Sequence, residues 1–202
     1  MLIVSNLPPS THSFFGRRRE LSEIREALDP GRPGRKAILL RGIGGSGKTQ
    51  LALRHIAEEG HRYSVIVWIN ASTEEHAGQS LSDTLVEMET QWPRDLPWTH
   101  NRPDSSDALR LASRLRSTIH SNWLLVIDSA DDTKIDLSQY IPDCNHGAIL
   151  VTSTTVRACR GFNPGLSGQI DVGGLDLANS KSMLLSLARA DDQNTSVGDG
   201  GK

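Results

Sequence analysis

The sequence predicts an α/β fold in which a parallel sheet of five strands is covered by helices on both faces, and three observations predict it. Short apolar runs alternate with helical segments along the chain, the order expected of a parallel sheet. The runs are nearly continuous rather than alternating, as strands buried on both faces must be. A glycine-rich stretch of the form G-x-x-x-x-G-K-[ST] follows directly on the first of them and opens a helix. With 202 residues the chain holds one such domain with a full core and is too short for two comfortable ones.

Residues 1–13 carry Pro8, Pro9 and several hydroxyl side chains and read as an extended lead-in to a domain spanning 14–190. Leu21, Ile24 and Leu28 recur at spacings of three and four, which predicts a short amphipathic helix over 18–28 that Pro30 ends. Ala37-Ile38-Leu39-Leu40 is the first strand, and the helix after the glycine-rich loop runs over 50–59, closed by Gly60. Ser64 to Ile69 is β-rich and almost wholly apolar, the second strand.

Ser72-Thr73-Glu74-Glu75 has capping-box spacing, so a helix is expected from about Thr73 to Thr90. Residues 91–103 hold three prolines with Trp92 and Trp98 and break the periodicity, which predicts a long loop. Leu109, Ala112, Leu115 and Ile119 mark one face of the next helix. Strands follow at Trp123 to Asp128, Gly147 to Thr152 and Gln169 to Val172. A last helix over 178–190 is expected to pack through Met183, Leu184, Leu187 and Ala188, and the polar tail 191–202 to be disordered.

The loop Gly42-Ile43-Gly44-Gly45-Ser46-Gly47-Lys48-Thr49 is the most informative stretch. A triphosphate needs many donors at short range, and glycines let the backbone bend and bring its N–H groups around the phosphate oxygens. Gly44, Gly45, Ser46, Gly47, Lys48, Thr49 and Gln50 are therefore the candidate nucleotide-binding residues. Lys48 would reach the β- and γ-phosphates, the Thr49 hydroxyl would coordinate Mg²⁺, and the positive end of the following helix faces the anion. The bare pattern arises by chance in about one in a hundred chains of this length, and the flanking strand and helix lower that further. The fold class is accordingly an α/β P-loop NTPase.

Trp123-Leu124-Leu125-Val126-Ile127-Asp128 has the form of the magnesium-side motif that accompanies such a loop, a carboxylate at the tip of a buried strand. An Asp ending a strand is most often a turn residue. Here Lys48 and Thr49 precede it, and Asp128 becomes the second candidate metal ligand beside Thr49. Hydrolysis also needs a group that polarises water. The position after Asp128 is Ser129, so Asp132, or Asp131, would have to take that part through a bent loop; otherwise the two acids form a solvated turn. Lys48, Asp128 and Asp132 are the candidate catalytic residues. Thr152 and Ser153, ending the fourth strand, are placed to offer a hydroxyl to the γ-phosphate. No N-K-x-D guanine-reading pattern occurs, which favours adenine.

The net charge of -2 gives no electrostatic reason to expect nucleic acid as a partner, although the first sixty residues are basic. Cys144 and Cys159 make neither a disulfide framework nor a metal-ligand spacing, and no membrane span or signal segment is evident, so the expected setting is cytoplasmic. Seven scattered histidines have no ligand spacing, and the expected metal is the Mg²⁺ that arrives with ATP or ADP.

Several blocks line up with one family. Phe14-Phe15-Gly16-Arg17-Arg18-Arg19-Glu20-Leu21 resembles the signature that precedes the phosphate loop in the NB-ARC class of STAND ATPases, and the loop through Ala52 is similar to theirs. Val67 to Ser72, Trp123 to Asp132 and Ala148 to Ser153 resemble their second-strand, magnesium-side and sensor-strand blocks, in the same order. The resemblance covers about residues 12–190 and is greatest to the fungal branch of NOD-like receptors. It implies an ADP/ATP switch in an innate immune or cell-death receptor that self-associates when opened, with Phe15 and Arg17 carrying base contacts and Phe14 in the core. Two departures stand out: Thr154 occupies the place of the family's sensor arginine, with Arg157 the nearest basic residue, and the sequence stops before any G-L-P-L-A block or winged-helix segment. It is therefore expected to be an isolated nucleotide-binding module. Slow hydrolysis is the first reading. A non-hydrolysing interaction module is the second, a transcription regulator or small-molecule kinase less favoured alternatives.

Overall fold

Successive residues of a strand point to opposite faces, so each apolar run feeds two cores at once. The computed structural model describes residues 2–3, 7–11, 14–91, 106–116, 121–159 and 166–195. In chain order the elements are β1 (Leu2–Ile3), α1 (Arg18–Ala27), β2 (Lys36–Arg41), α2 (Lys48–Glu59), β3 (Val65–Asn70), α3 (Glu74–Gln91), α4 (Asp107–Leu115), β4 (Trp123–Asp128), β5 (Ala148–Ser153), β6 (Gly168–Asp171) and α5 (Leu177–Thr195). The sheet order is β1-β3-β4-β5-β2-β6, and every pairing is parallel. The five expected strands are β2 to β6. The lead-in adds a two-residue edge, Leu2 and Ile3 pairing with Val65 and Ile66.

On one face Leu39, Val67, Ile69, Leu125, Ile127 and Ile149 pack with α3 and α4. On the other Ile38, Leu40, Ile66, Trp68, Val126 and Leu150 pack with α1 and α2. Trp123 to Asp128 and Ala148 to Ser153 are buried throughout. Among the described residues, no helix is long and apolar enough to cross a membrane.

Three helices differ from expectation. The cap of α3 is Thr73, whose hydroxyl accepts from the His76 amide at 3.1 Å, while Ser72 turns its hydroxyl to His76 Nδ1. In α4 the buried stripe is Ala108, Leu111 and Leu115, and Leu109 is 62% exposed. The stripe includes Arg114, whose two terminal nitrogens donate to the Leu85 carbonyl and Glu89; a buried arginine hides the phase of the helix from a reading by hydrophobicity. Ile119 and residues 92–103, Trp92 and Trp98 included, lie outside the described residues.

Helix α5 begins where expected but continues to Thr195, five residues into the stretch read as tail, because no Gly or Pro interrupts residues 178–195. Of the side chains expected to pack, Met183 is 40% and Leu184 66% exposed, as is Leu185 at 60%, and Ala188 is exposed; the Leu187 side chain lies outside the described residues.

Two packing features constrain the sheet's surroundings. Gly147 sits at φ 82°, and a Cβ there would fall 2.1 Å from the Trp123 ring. His55 of α2 is buried, with Nε2 3.3 Å from the Tyr63 hydroxyl, which donates to the Leu28 carbonyl. Burial pushes the His55 pKa from 6.5 down to about 4.

Replacing Gly147 by Ala combines a left-handed backbone with overpacking and is expected to cost about 3 kcal/mol or more in urea denaturation. The unfolded chain binds a proton at His55 that the native state refuses. Stability from this group is therefore complete above pH 6.5 and is lost as pH falls toward about 4. The loss is roughly 3 kcal/mol, and the urea midpoint of His55→Gln should lack that part of the slope.

Candidate functional site

Because all strands run parallel, their C-terminal ends line one edge of the sheet and the turns that follow converge there. The phosphate loop spans Gly42 to Gly47 between β2 and α2. Gly47 precedes the first helical residue at φ 89°, the left-handed region that lets the chain turn into the helix. At Gly44, Gly45 and Gly47 a Cβ would meet no atom within 4 Å, so this side of the loop is open. Lys48 is 9% exposed; its ammonium donates to the Gly42 carbonyl at 2.8 Å and the Ile43 carbonyl at 3.0 Å. An ammonium has three protons, which leaves one for a ligand. Ser46 Oγ is buried without a partner.

Strand β5 lies between β2 and β4, and its tip therefore separates the loop from Asp128. The Thr49 hydroxyl donates to Asp128 Oδ1 at 2.9 Å, and the Thr152 hydroxyl donates to the same oxygen at 2.6 Å. Asp128 is 7% exposed. Thr152 Oγ1 in turn accepts the Ser129 amide at 2.9 Å. Neither β5 hydroxyl faces a phosphate freely: Thr152 is committed to Asp128, and Ser153 is buried and donates to the Ala130 carbonyl and to Asp131. The expectation that they touch the γ-phosphate is replaced by a role in fixing the two carboxylates.

Ser129 adopts φ 58°, and the chain bends there: the Ala130 amide bonds the Thr152 carbonyl and the Asp131 amide the Ser129 carbonyl. The bend delivers Asp131 to the tip of β5. Its Oδ1 accepts from Ser153 Oγ at 2.8 Å, the Thr154 amide at 2.6 Å and Thr154 Oγ1 at 2.9 Å. Burial alone would raise its pKa, but these hydrogen bonds and the charge of Lys48 outweigh it and hold the carboxyl below the ordinary 3.8. Asp132, the expected catalytic acid, instead accepts the Lys134 amide at 2.9 Å and lines a separate cavity of about 370 Å³ with Lys134, Ile135 and Arg157. The structure brings Lys48, Thr49, Asp128 and Asp131 together and leaves Asp132 outside.

The remaining candidates hold the site's frame. Arg17, expected to contact the base, spends its guanidinium on Glu20 at 2.8 Å, the Ser46 carbonyl at 3.1 Å and the Gly173 carbonyl. Gln50 accepts the Thr11 amide at 2.9 Å and approaches the Pro9 carbonyl, tying the lead-in to the first turn of α2. Phe14 packs on the core with the Arg54 guanidinium 5.6 Å from its ring centroid; Phe15 is half-buried. Gly173, Thr11 and Pro9 were not legible as site neighbours, since they act through backbone groups.

The donor set fits a magnesium nucleotide. The open glycine side, the lone Ser46 hydroxyl and the spare Lys48 proton suit phosphate oxygens, and Thr49 keeps its lone pairs while donating to Asp128. Among the described residues no three His, Cys, Asp or Glu side chains form a metal site by themselves, so Mg²⁺ here would share its coordination with phosphates.

The model of the AAA ATPase domain family matches residues 13–141. Similar solved structures include the Aeropyrum pernix ORC2 protein in its ADPNP–ADP complexes, 19% identical with a TM-score of 0.52, covering 92% of this chain and 54% of that one. Drosophila ORC bound to DNA is 19% identical with a TM-score of 0.55, covering 84% of this chain and 46% of that one. The chain thus spans about half the length of these proteins, and at such identity the likeness shows the fold alone. No curated protein matches the sequence. The family match extends over more than half of the chain and takes in both the phosphate loop and Asp128: the chain belongs to the AAA ATPase domain family and is a nucleotide-binding P-loop domain.

Proposed function

We propose that this domain is an ADP/ATP-binding switch module that hydrolyses ATP slowly with Mg²⁺, the nucleotide-binding part of a receptor of the NOD-like kind. The observation that carries the reading is the buried Asp128 carboxylate joined to Thr49 at 2.9 Å, one strand away from an open phosphate loop. Thr49 and Asp128 would hold Mg²⁺, which when bound neutralises phosphate charge. Lys48 binds the phosphates, and α2 directs its N-terminal amides toward them. Adenine rather than guanine follows from the missing guanine motif, and the receptor assignment rests on the sequence blocks around Phe14, Val67, Trp123 and Ala148.

For hydrolysis, Asp131 is the better candidate than Asp132. Its Oδ1 is filled by three donors, and Oδ2 is left to orient a water. A carboxylate so well satisfied is a weak base, which supports slow turnover and keeps the non-hydrolysing module as the second reading. The expectation of no nucleic-acid partner rests on the net charge of -2; Arg19, Arg25, Arg32, Arg41, Arg54 and Arg62 each meet a carboxylate at the surface. The Drosophila relative, by contrast, is described bound to DNA.

A nucleotide at roughly a hundred times its Kd stabilises its site by about 2.7 kcal/mol. A thermal melt should shift upward with ADP or ATP and not with GTP, and Lys48→Ala should abolish the shift; no shift of the native chain with either adenine nucleotide would end this reading. Asp131→Asn is expected to lower phosphate release about 10²-fold while the ADP shift persists, and Asp132→Asn to leave both within about twofold of the native chain. Equal phosphate release from native, Lys48→Ala and Asp131→Asn proteins would favour the non-hydrolysing module.

A further inference from the structure

Arg17 departs from its surroundings in three ways. It is one of two non-glycine residues with positive φ among the described residues, at 59°. Its side chain is 9% exposed despite its charge. Its guanidinium joins three elements far apart in sequence: Glu20 in the first turn of α1, the Ser46 carbonyl in the phosphate loop, and the Gly173 carbonyl between β6 and α5. A left-handed non-glycine residue costs of order 1–3 kcal/mol and persists where its surroundings over-determine it. Here the Leu21 amide closes the first turn of α1 on the Arg17 carbonyl at 2.9 Å, so the main chain and the side chain are fixed from opposite sides.

We propose that Arg17 is a positioning residue of the nucleotide site, a latch that sets the crest of the phosphate loop and couples it to the segment leading into α5. The mechanism follows from peptide geometry. The unit joining Ser46 to Gly47 is planar and trans, so its C=O and N–H point in opposite directions. Drawing the Ser46 carbonyl onto the guanidinium turns the Gly47 amide away from Arg17, toward the open side where Gly44, Gly45 and Gly47 leave room. The donor that would meet a phosphate is thus aimed before the ligand arrives. The second arm holds Gly173, which is followed by Gly174; both are exposed, and a Cβ at either would meet nothing within 4 Å, so the guanidinium supplies a restraint where the two glycines have no side chain to pack. A planar fork serves two carbonyls and a carboxylate together, whereas an ammonium is a point donor.

The inference rests on nucleotide binding at this loop, and the test separates the two. Amide hydrogen exchange is followed on the nucleotide-free 202-residue chain, and ADP affinity is measured by calorimetry, for native, Arg17→Lys and Glu20→Gln proteins. In Arg17→Lys, exchange should rise about tenfold both at 46–47 and at 173–176, with ADP affinity about tenfold weaker and the melting temperature of the free protein nearly unchanged. Glu20→Gln, which spares both carbonyl bonds, should leave exchange at those two segments and the affinity within about twofold of native. The latch is overturned if Arg17→Lys raises exchange only in α1, if its ADP affinity stays within twofold of native, or if Glu20→Gln matches it in both measurements. A native chain that binds no adenine nucleotide would end the binding reading, and the exchange data alone would then decide whether Arg17 holds the two segments.

Discussion

The site depends on one buried carboxylate. Asp128 ends β4, and the hydroxyls of Thr49 and Thr152 both donate to it, so α2, β4 and β5 meet at a single side chain. Burying a charge is expensive unless hydrogen bonds replace its water, and here two hydroxyls do so. The sheet order makes this possible. With β5 between β2 and β4, the loop and the acid stand one strand apart, and the threonine at the tip of β5 fills the gap. The Thr49 and Asp128 oxygens are thereby held together at 2.9 Å.

Much of this was legible in the sequence because it is local. The strands announce themselves by continuous apolar runs, and the loop by glycines spaced as a phosphate cradle needs between a strand and a helix. What stayed hidden is long-range. Arg17 meets a carbonyl 156 residues away, and a carbonyl has no side chain to reveal it. The roles of Thr152 and Ser153 were misread for a related reason: a hydroxyl at a strand tip suits either a phosphate or a neighbouring acid, and only the register between β4 and β5 decides. In α4 the two candidate stripes differ by one residue, and Arg114, buried against Glu89 and the Leu85 carbonyl, occupies a position that hydrophobic spacing assigns to the surface.

The adjacent acids Asp131 and Asp132 show how a backbone angle can sort residues of identical type. The left-handed turn at Ser129 places the first of them among the Ser153 and Thr154 donors and sends the second to the next turn. Sequence offered both on equal terms. The same substitution of Ser for an acid after Asp128 that weakens the case for rapid hydrolysis is also what gives the chain a small residue at the bend.

Helix α5 carries a different consequence. Its first turn is anchored, with Asp176 accepting the Asn179 amide and the Asn179 side chain crowding Gly16, but beyond that Met183, Leu184 and Leu185 stand in water. These side chains keep apolar surface in contact with water. Sulfate and other strongly hydrated salts, which strengthen the effective burial of apolar surface, would raise the free-energy cost of leaving them exposed.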